Sequence, residues 1–256
     1  MVNRKKIRRS WGGRLFNATI AVVVFYFSVN FIWQIVRKPS ELLNLLGTAQ
    51  ARGPEQLWRD YGPDFKKYQT DLIPASLLAA IAQVESAGNP IATPQWKWNW
   101  RGGWFEIYAP ASSSVGLFQF TDGTFREAQK YCVVDGKVRR DGPWYDFGSC
   151  WFNKLYTRTW PSHAIEMTSA YLDNRMRELA KFWGGHRDPD RARLWLAAIT
   201  HLCGSRRSRH FAHNGLRLES LGRCGSHHAG YYVRQVEKTE QIFRRWTGHL
   251  LNHERR

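Results

Sequence analysis

Glu85 sits in Ala82-Gln83-Val84-Glu85-Ser86-Ala87-Gly88-Asn89-Pro90, and Gly116-Leu117-Phe118-Gln119 follows further along the chain. A single carboxylic acid can protonate a leaving oxygen if its surroundings keep the proton on it. Pro74 suits a first helical position, and Leu77, Leu78, Ile81 and Val84 follow at helical spacing. Leu77, Ile81 and Glu85 fall at i, i+4 and i+8, so the carboxyl shares the apolar face and is partly desolvated. Gly88 and Pro90 stop the helix, which leaves Glu85 near the negative end of the dipole. Both effects favour the proton-bearing acid, and the expected chemistry is one buried acid working on a polysaccharide.

The elements that position this residue read as all-α, or α with a minor β-ribbon. Helices are expected at 74–87, 121–131, 161–184, 190–203 and 228–250, with Pro161 and Pro189 marking starts. Residues 37–71 read as a linker with a short helix or two, broken at Gly53-Pro54 and Gly62-Pro63. A loop rich in Gly and Asp is expected from Asp135 to Gly148. The segment 91–115 differs in character: Trp96, Trp98 and Trp100 alternate with Lys97 and Asn99, and Trp104, Phe105 and Tyr108 follow. Period-2 aromatics suggest an extended ribbon with one aromatic face. Trp98, Trp100, Trp104 and Tyr108 are candidates for stacking on sugars; the alternative is that they pack a satellite core or touch a bilayer surface.

Residues 15–36 form an apolar run long enough to cross a hydrocarbon core of about 30 Å. Basic residues crowd its N-terminal side, so 1–14 is expected in the cytoplasm and the remainder exported, although Arg37 and Lys38 weaken the bias. A cleavable signal peptide would have a shorter apolar region ending at small residues, where this chain has Phe31, Ile32 and Trp33. The stretch 72–256 is long enough for one sizeable domain with its own core. The net charge of +17 calls for an anionic partner. It is not confined to a tail: the first 38 residues hold eight basic residues, and the 30 that remain still outnumber 21 acidic ones.

Four cysteines in an exported domain read as two disulfides. Three connectivities exist, of which Cys132 with Cys150 and Cys203 with Cys224 are near in sequence. Cys203, His210, His213, Cys224, His227 and His228 also cluster, but without a Cys-x-x-Cys pair a disulfide among solvated histidines is the simpler account, and no metal is expected. Nucleic acid would explain the charge, yet an exported disulfide-bearing domain rarely meets it.

Glu85-Ser86 with Gly88-Asn89-Pro90, then Gly116-Leu117-Phe118-Gln119 and Gly123-Thr124-Phe125, resemble the two principal motifs of the soluble lytic transglycosylase (SLT) family of lysozyme-like domains. Ala164-Ile165 and Ala170-Tyr171-Leu172 are similar to its long helix, and Tyr232-Val233-Arg234-Gln235-Val236 to a late Tyr-Val-x-x-Val element. The resemblance spans roughly residues 72–245. It implies a lysozyme-like helical fold and cleavage of the bond between N-acetylmuramic acid and N-acetylglucosamine in peptidoglycan, with no cofactor. Glu85 would be both acid and base, and the muramic 6-hydroxyl would close as a 1,6-anhydro product. Ser86, Gly116 and Gln119 would line the cleft, and Tyr232 would hydrogen-bond at the reacting sugar. The family's third motif, Ala-Tyr-Asn-Ala-Gly, has its best match at Ala198-Ile199-Thr200-His201, so His201 either replaces one hydrogen bond to the acid or sugar or is a core histidine.

Two rivals remain at this stage. Asp122 could activate water in an inverting hydrolase, or it could serve the N-terminus of the next helix. A non-catalytic wall-binding or assembly protein would use the same groove to hold glycan. The expected partners are peptidoglycan strands and the inner membrane, with room for a secretion or envelope complex, and the catalytic domain is expected in the periplasm.

Overall fold

The computed structural model describes residues 4–38, 51–146 and 148–253. The part of the expected linker at 39–50 lies outside the described residues. The chain divides into two compact units, Met1–Gly47 with Thr93–Ser113 and Thr48–Ala92 with Ser114–Arg256.

The first unit is built on helix α1 (Arg4–Arg37), in which Trp11–Arg37 is long and apolar enough to cross a membrane. Val22, Val23, Val24 and Phe25 are exposed, as an apolar helix without a protein core around it must be. The aromatic segment forms the expected ribbon: β1 (Trp96–Trp98) pairs antiparallel with β2 (Tyr108–Pro110), Trp98 opposite Tyr108. Its rings contact one another and α1. Trp98 stacks on Trp100 at 5.2 Å between centroids and meets Phe27 edge-on at 5.9 Å.

The second unit is helical around one core. Helix α2 (Pro54–Lys67) carries Pro at its first position and runs through Gly62-Pro63 without ending there. The expected break is absent because Leu57 and Phe65 are buried on either side of it and Trp58 and Tyr61 pack on the same core, which outweighs the one backbone bond Pro63 cannot donate. Helix α3 (Ala75–Ser86) is the central element, with Leu77, Leu78, Ala79, Ala80, Ile81 and Ala82 at most 2% exposed. It packs against α2 and, most extensively, against α7 (Ala229–His253). Ala87 closes α3 in the left-handed conformation, and Gly88 N–H reaches back to Ala82 O, six residues away. A side chain at Gly88 would bring Cβ within 2.8 Å of Leu57, so the stop signal read in the sequence is also a packing requirement.

Helix α4 (Asp122–Ala128) is capped by Thr121, whose hydroxyl accepts from Thr124 N–H. It is shorter than the expected 121–131, because Tyr131 begins strand β3 (Tyr131–Val134), which pairs with β4 (Lys137–Arg140). The turn is Asp135-Gly136, both at positive φ. The expected loop from Asp135 is therefore half hairpin; Val-Val-Asp-Gly-Lys-Val carried that signal in its Asp-Gly pair. Helix α5 (Pro161–Trp183) packs against α6 (Pro189–His213). The sequence reading ended α6 at 203, and there the helix kinks: Gly204 takes φ 80° and ψ 166°, a conformation open essentially to glycine alone. Cys203, beside the kink, is bonded to Cys224 on β5 (Arg223–Cys224), which pairs with β6 (His227–His228). Cys132 is bonded to Cys150.

Candidate active site

The last turn of α3 brings Glu85 out of the core, leaving its side chain 11% exposed. Two side chains from distant helices reach its Oε1. The Tyr232 hydroxyl, on the first turn of α7, donates at 2.5 Å. His201 Nε2, in the turn of α6 just before the kink, stands 3.4 Å away.

Tyr232 is itself 4% exposed. Burial, and then the charge of Glu85 and the hydrogen bond to it, push the phenol well above its ordinary value. It therefore remains a donor throughout the range in which a carboxylate titrates. His201 Nε2 donates to Phe118 O at 3.0 Å, which fixes the proton on that nitrogen. The same N–H faces Glu85, while Nδ1 is buried with no hydrogen-bond partner among the described residues. Phe118 and Phe120 flank the imidazole.

The 115–120 loop is a tight reversal, with Val115 and Phe120 exchanging both backbone bonds. Ser86 ties it to α3: its hydroxyl donates to Leu117 O at 2.8 Å, with Ala82 O at 3.1 Å. Gln119 braces the reversal from within. Its amide donates to Ala92 O at 3.0 Å and Gly116 O at 2.9 Å, and its carbonyl accepts from the Ser114 hydroxyl at 3.0 Å. Gly116 cannot be another residue here, for φ is +85° and a Cβ would lie 2.2 Å from Arg158 O.

The structure thus gathers Glu85, Tyr232 and His201 at one carboxylate oxygen, with Ser86, Gly116 and Gln119 shaping the adjoining loop. Trp98, Trp100, Trp104 and Tyr108 belong to the first unit, where their contacts are with the ribbon and α1. Asp122 is the first residue of α4 and pairs with Arg158 at 2.8 Å. Arg158 also donates to Phe120 O at 3.0 Å. That arginine, which ties the 115–120 loop through Phe120 O, was not singled out from sequence; an isolated Arg in Tyr-Thr-Arg-Thr-Trp gives no local sign of its target. Cys203 and Cys224 are joined, so neither sulfur is free to bind the metal considered for that cluster.

One acid at a helix end, bonded by the Tyr232 hydroxyl and with the His201 N–H beside it, is an arrangement suited to glycan cleavage. Residues 64–214 match the Transglycosylase SLT domain. The chain belongs to that family, with its lysozyme-like helical fold, and is a peptidoglycan lytic transglycosylase. No curated protein matches the chain. Tyr232 lies beyond the matched span, and its tie to Glu85 rests on the geometry.

Proposed function

We propose that Glu85 is the single acid and base of this transglycosylase, and that α1 anchors it in the inner membrane with the catalytic unit in the periplasm. The glycosidic oxygen takes the proton from the Glu85 carboxyl as its bond to the muramic anomeric carbon breaks. The resulting carboxylate removes the proton of the muramic 6-hydroxyl, whose oxygen closes onto that carbon as a 1,6-anhydro ring, and the acid is restored. The nucleophile comes from the substrate, so no second carboxylate is required.

The observation that carries this reading is the convergence of Tyr232 and His201 on one oxygen of Glu85. It leaves Oε2 for the substrate and supplies the Tyr232 O–H to the carboxylate when it forms, with the His201 N–H, donated to Phe118 O, beside it. Asp122, the water-activating candidate, is engaged by Arg158 at the helix N-terminus instead. For the anchor, the support is the length and composition of Trp11–Arg37.

Mass analysis of muropeptides released from sacculi by the full chain tests the chemistry. The expected products carry anhydro ends, and Glu85→Gln releases none while still binding wall. Reducing ends would instead mean hydrolysis, and equal release by both proteins would remove Glu85 from the chemistry.

A further inference from the structure

The first unit presents an unusual surface. Four polar residues interrupt or end the apolar helix at helical spacing: Tyr26, Asn30, Gln34 and Arg37. In the structure Asn30 and Gln34 are the most buried side chains described on α1, at 1% and 7% exposure, because the ribbon lies over them. This face of α1 serves the ribbon's backbone. The Tyr26 hydroxyl donates to Trp104 O, Gln34 Nε2 to Phe105 O at 2.6 Å, and Lys38 Nζ to Ser112 O at 3.1 Å. Arg37 pairs with Glu106 at 2.7 Å. The carbonyls of Trp104, Phe105 and Ser112 and the one ribbon carboxylate thereby have protein partners, a provision that matters most in a low-dielectric medium.

What the ribbon turns outward is apolar. Trp98, Trp100, Trp104 and Phe105 are 52%, 77%, 81% and 43% exposed, and this surface continues that of Phe27, Phe31, Ile32 and Trp33 on α1. Three large exposed indoles, two of them stacked on one another, are costly in water. The contacts with α1 run from Tyr26 to Arg37, about 16 Å of helix at 1.5 Å per residue, or half of a hydrocarbon core. Lys97 and Arg101, also exposed, accompany the indoles. Tryptophan flanked by cations is the composition that settles at the level of lipid headgroups.

We propose that the 93–113 ribbon is a second membrane contact, in which Trp98, Trp100 and Trp104 enter the outer leaflet around the C-terminal half of α1 and Lys97 and Arg101 meet anionic phospholipid. The inference rests on the spanning role given to α1 above. The polar stripe of α1 is then the seat of a lipid-immersed ribbon, and the indoles face acyl chains and headgroups in preference to glycan.

Full-length protein is reconstituted into phosphatidylcholine–phosphatidylglycerol vesicles containing brominated phosphatidylcholine, which quenches tryptophan on contact. The triple variant Trp98→Gln, Trp100→Gln, Trp104→Gln removes three of the six tryptophans of this unit, and the quenched emission is expected to fall roughly twofold against the parent. Because every cysteine is paired, Trp104→Cys carries one nitroxide label, expected to be more accessible to oxygen than to a water-soluble nickel chelate. Unchanged quenching in the triple variant, or a label open to the chelate, overturns the proposal. Quenching of the same indoles by soluble glycan fragments instead would assign them to substrate. An alkaline carbonate wash separates the two levels: release of the parent sinks the anchor and the ribbon together, whereas retention with unchanged quenching sinks the ribbon alone.

Discussion

Tyr232 lies 147 residues from Glu85 along the chain, yet its hydroxyl is the shortest contact described for that carboxylate. A hydrogen bond to a charged group contributes about 1.5–3 kcal/mol, and this one strengthens as the carboxylate forms during the reaction. Tyr232→Phe is therefore expected to lower kcat by about 10- to 100-fold with little change in KM. Steady-state cleavage of purified glycan strands checks it, and a wild-type kcat would reduce the phenol to packing. Glu85 itself was legible in the sequence, since a lone acid on an apolar helix face ahead of a glycine is a local pattern. His201 was half legible: its place after Ala198-Ile199-Thr200 was visible, but the choice between core and site depends on Phe118 O and Glu85 meeting one nitrogen, which no local spacing encodes. Gln119 was read as lining the cleft, and the structure adds that its amide braces the turn on Ala92, Gly116 and Ser114.

Among the elements, the joint between α5 and the β3–β4 hairpin depends on Glu166, which is 5% exposed. Its carboxyl accepts from Val133 N–H at 3.1 Å and from the Tyr156 hydroxyl at 2.9 Å. Burial raises its pKa, and the hydrogen bonds from Tyr156 and Val133, the charge of Lys67 and a bond from Tyr68 only partly oppose this. For a carboxyl with its folded value raised, stability is fully present below the unfolded value and is lost as pH rises through the folded one. Glu166→Gln cannot ionise, so its melting temperature is expected to gain on the parent's as pH climbs from the ordinary carboxylate range toward neutrality. Melting curves across that interval test this; a constant difference would mean that the carboxyl titrates alike in the folded and unfolded chain. Helix positions were readable from periodicity and from Pro161 and Pro189. The hairpin was not read because the Gly- and Asp-rich run around it masked the Asp135-Gly136 turn, and the uninterrupted α2 because Gly62-Pro63 is a local breaker overruled by tertiary packing.

For the molecule as a whole, a net charge of +17 faces a wall polymer bearing carboxylates. Raising salt from about 0.1 M to about 1 M shortens the screening length from about 10 to about 3 Å, so retention on sacculi in pelleting assays is expected to fall several-fold. Salt-independent retention would place the affinity in the cleft alone. Composition announced this property, and the apolar run at 15–36 announced α1, but the grouping of 93–113 with α1 depends on contacts between segments far apart in sequence. The Cys203–Cys224 bond sits one residue from the Gly204 kink and two from His201. Since such bonds persist where thiols oxidise and are rare where glutathione keeps them reduced, the periplasmic placement proposed for this unit would couple the geometry at Glu85 to maturation after export. In that placement a newly made chain in a reducing cytosol would lack the staple two residues from His201, and full lytic competence would wait until the enzyme had reached the side of the membrane where its polymer is.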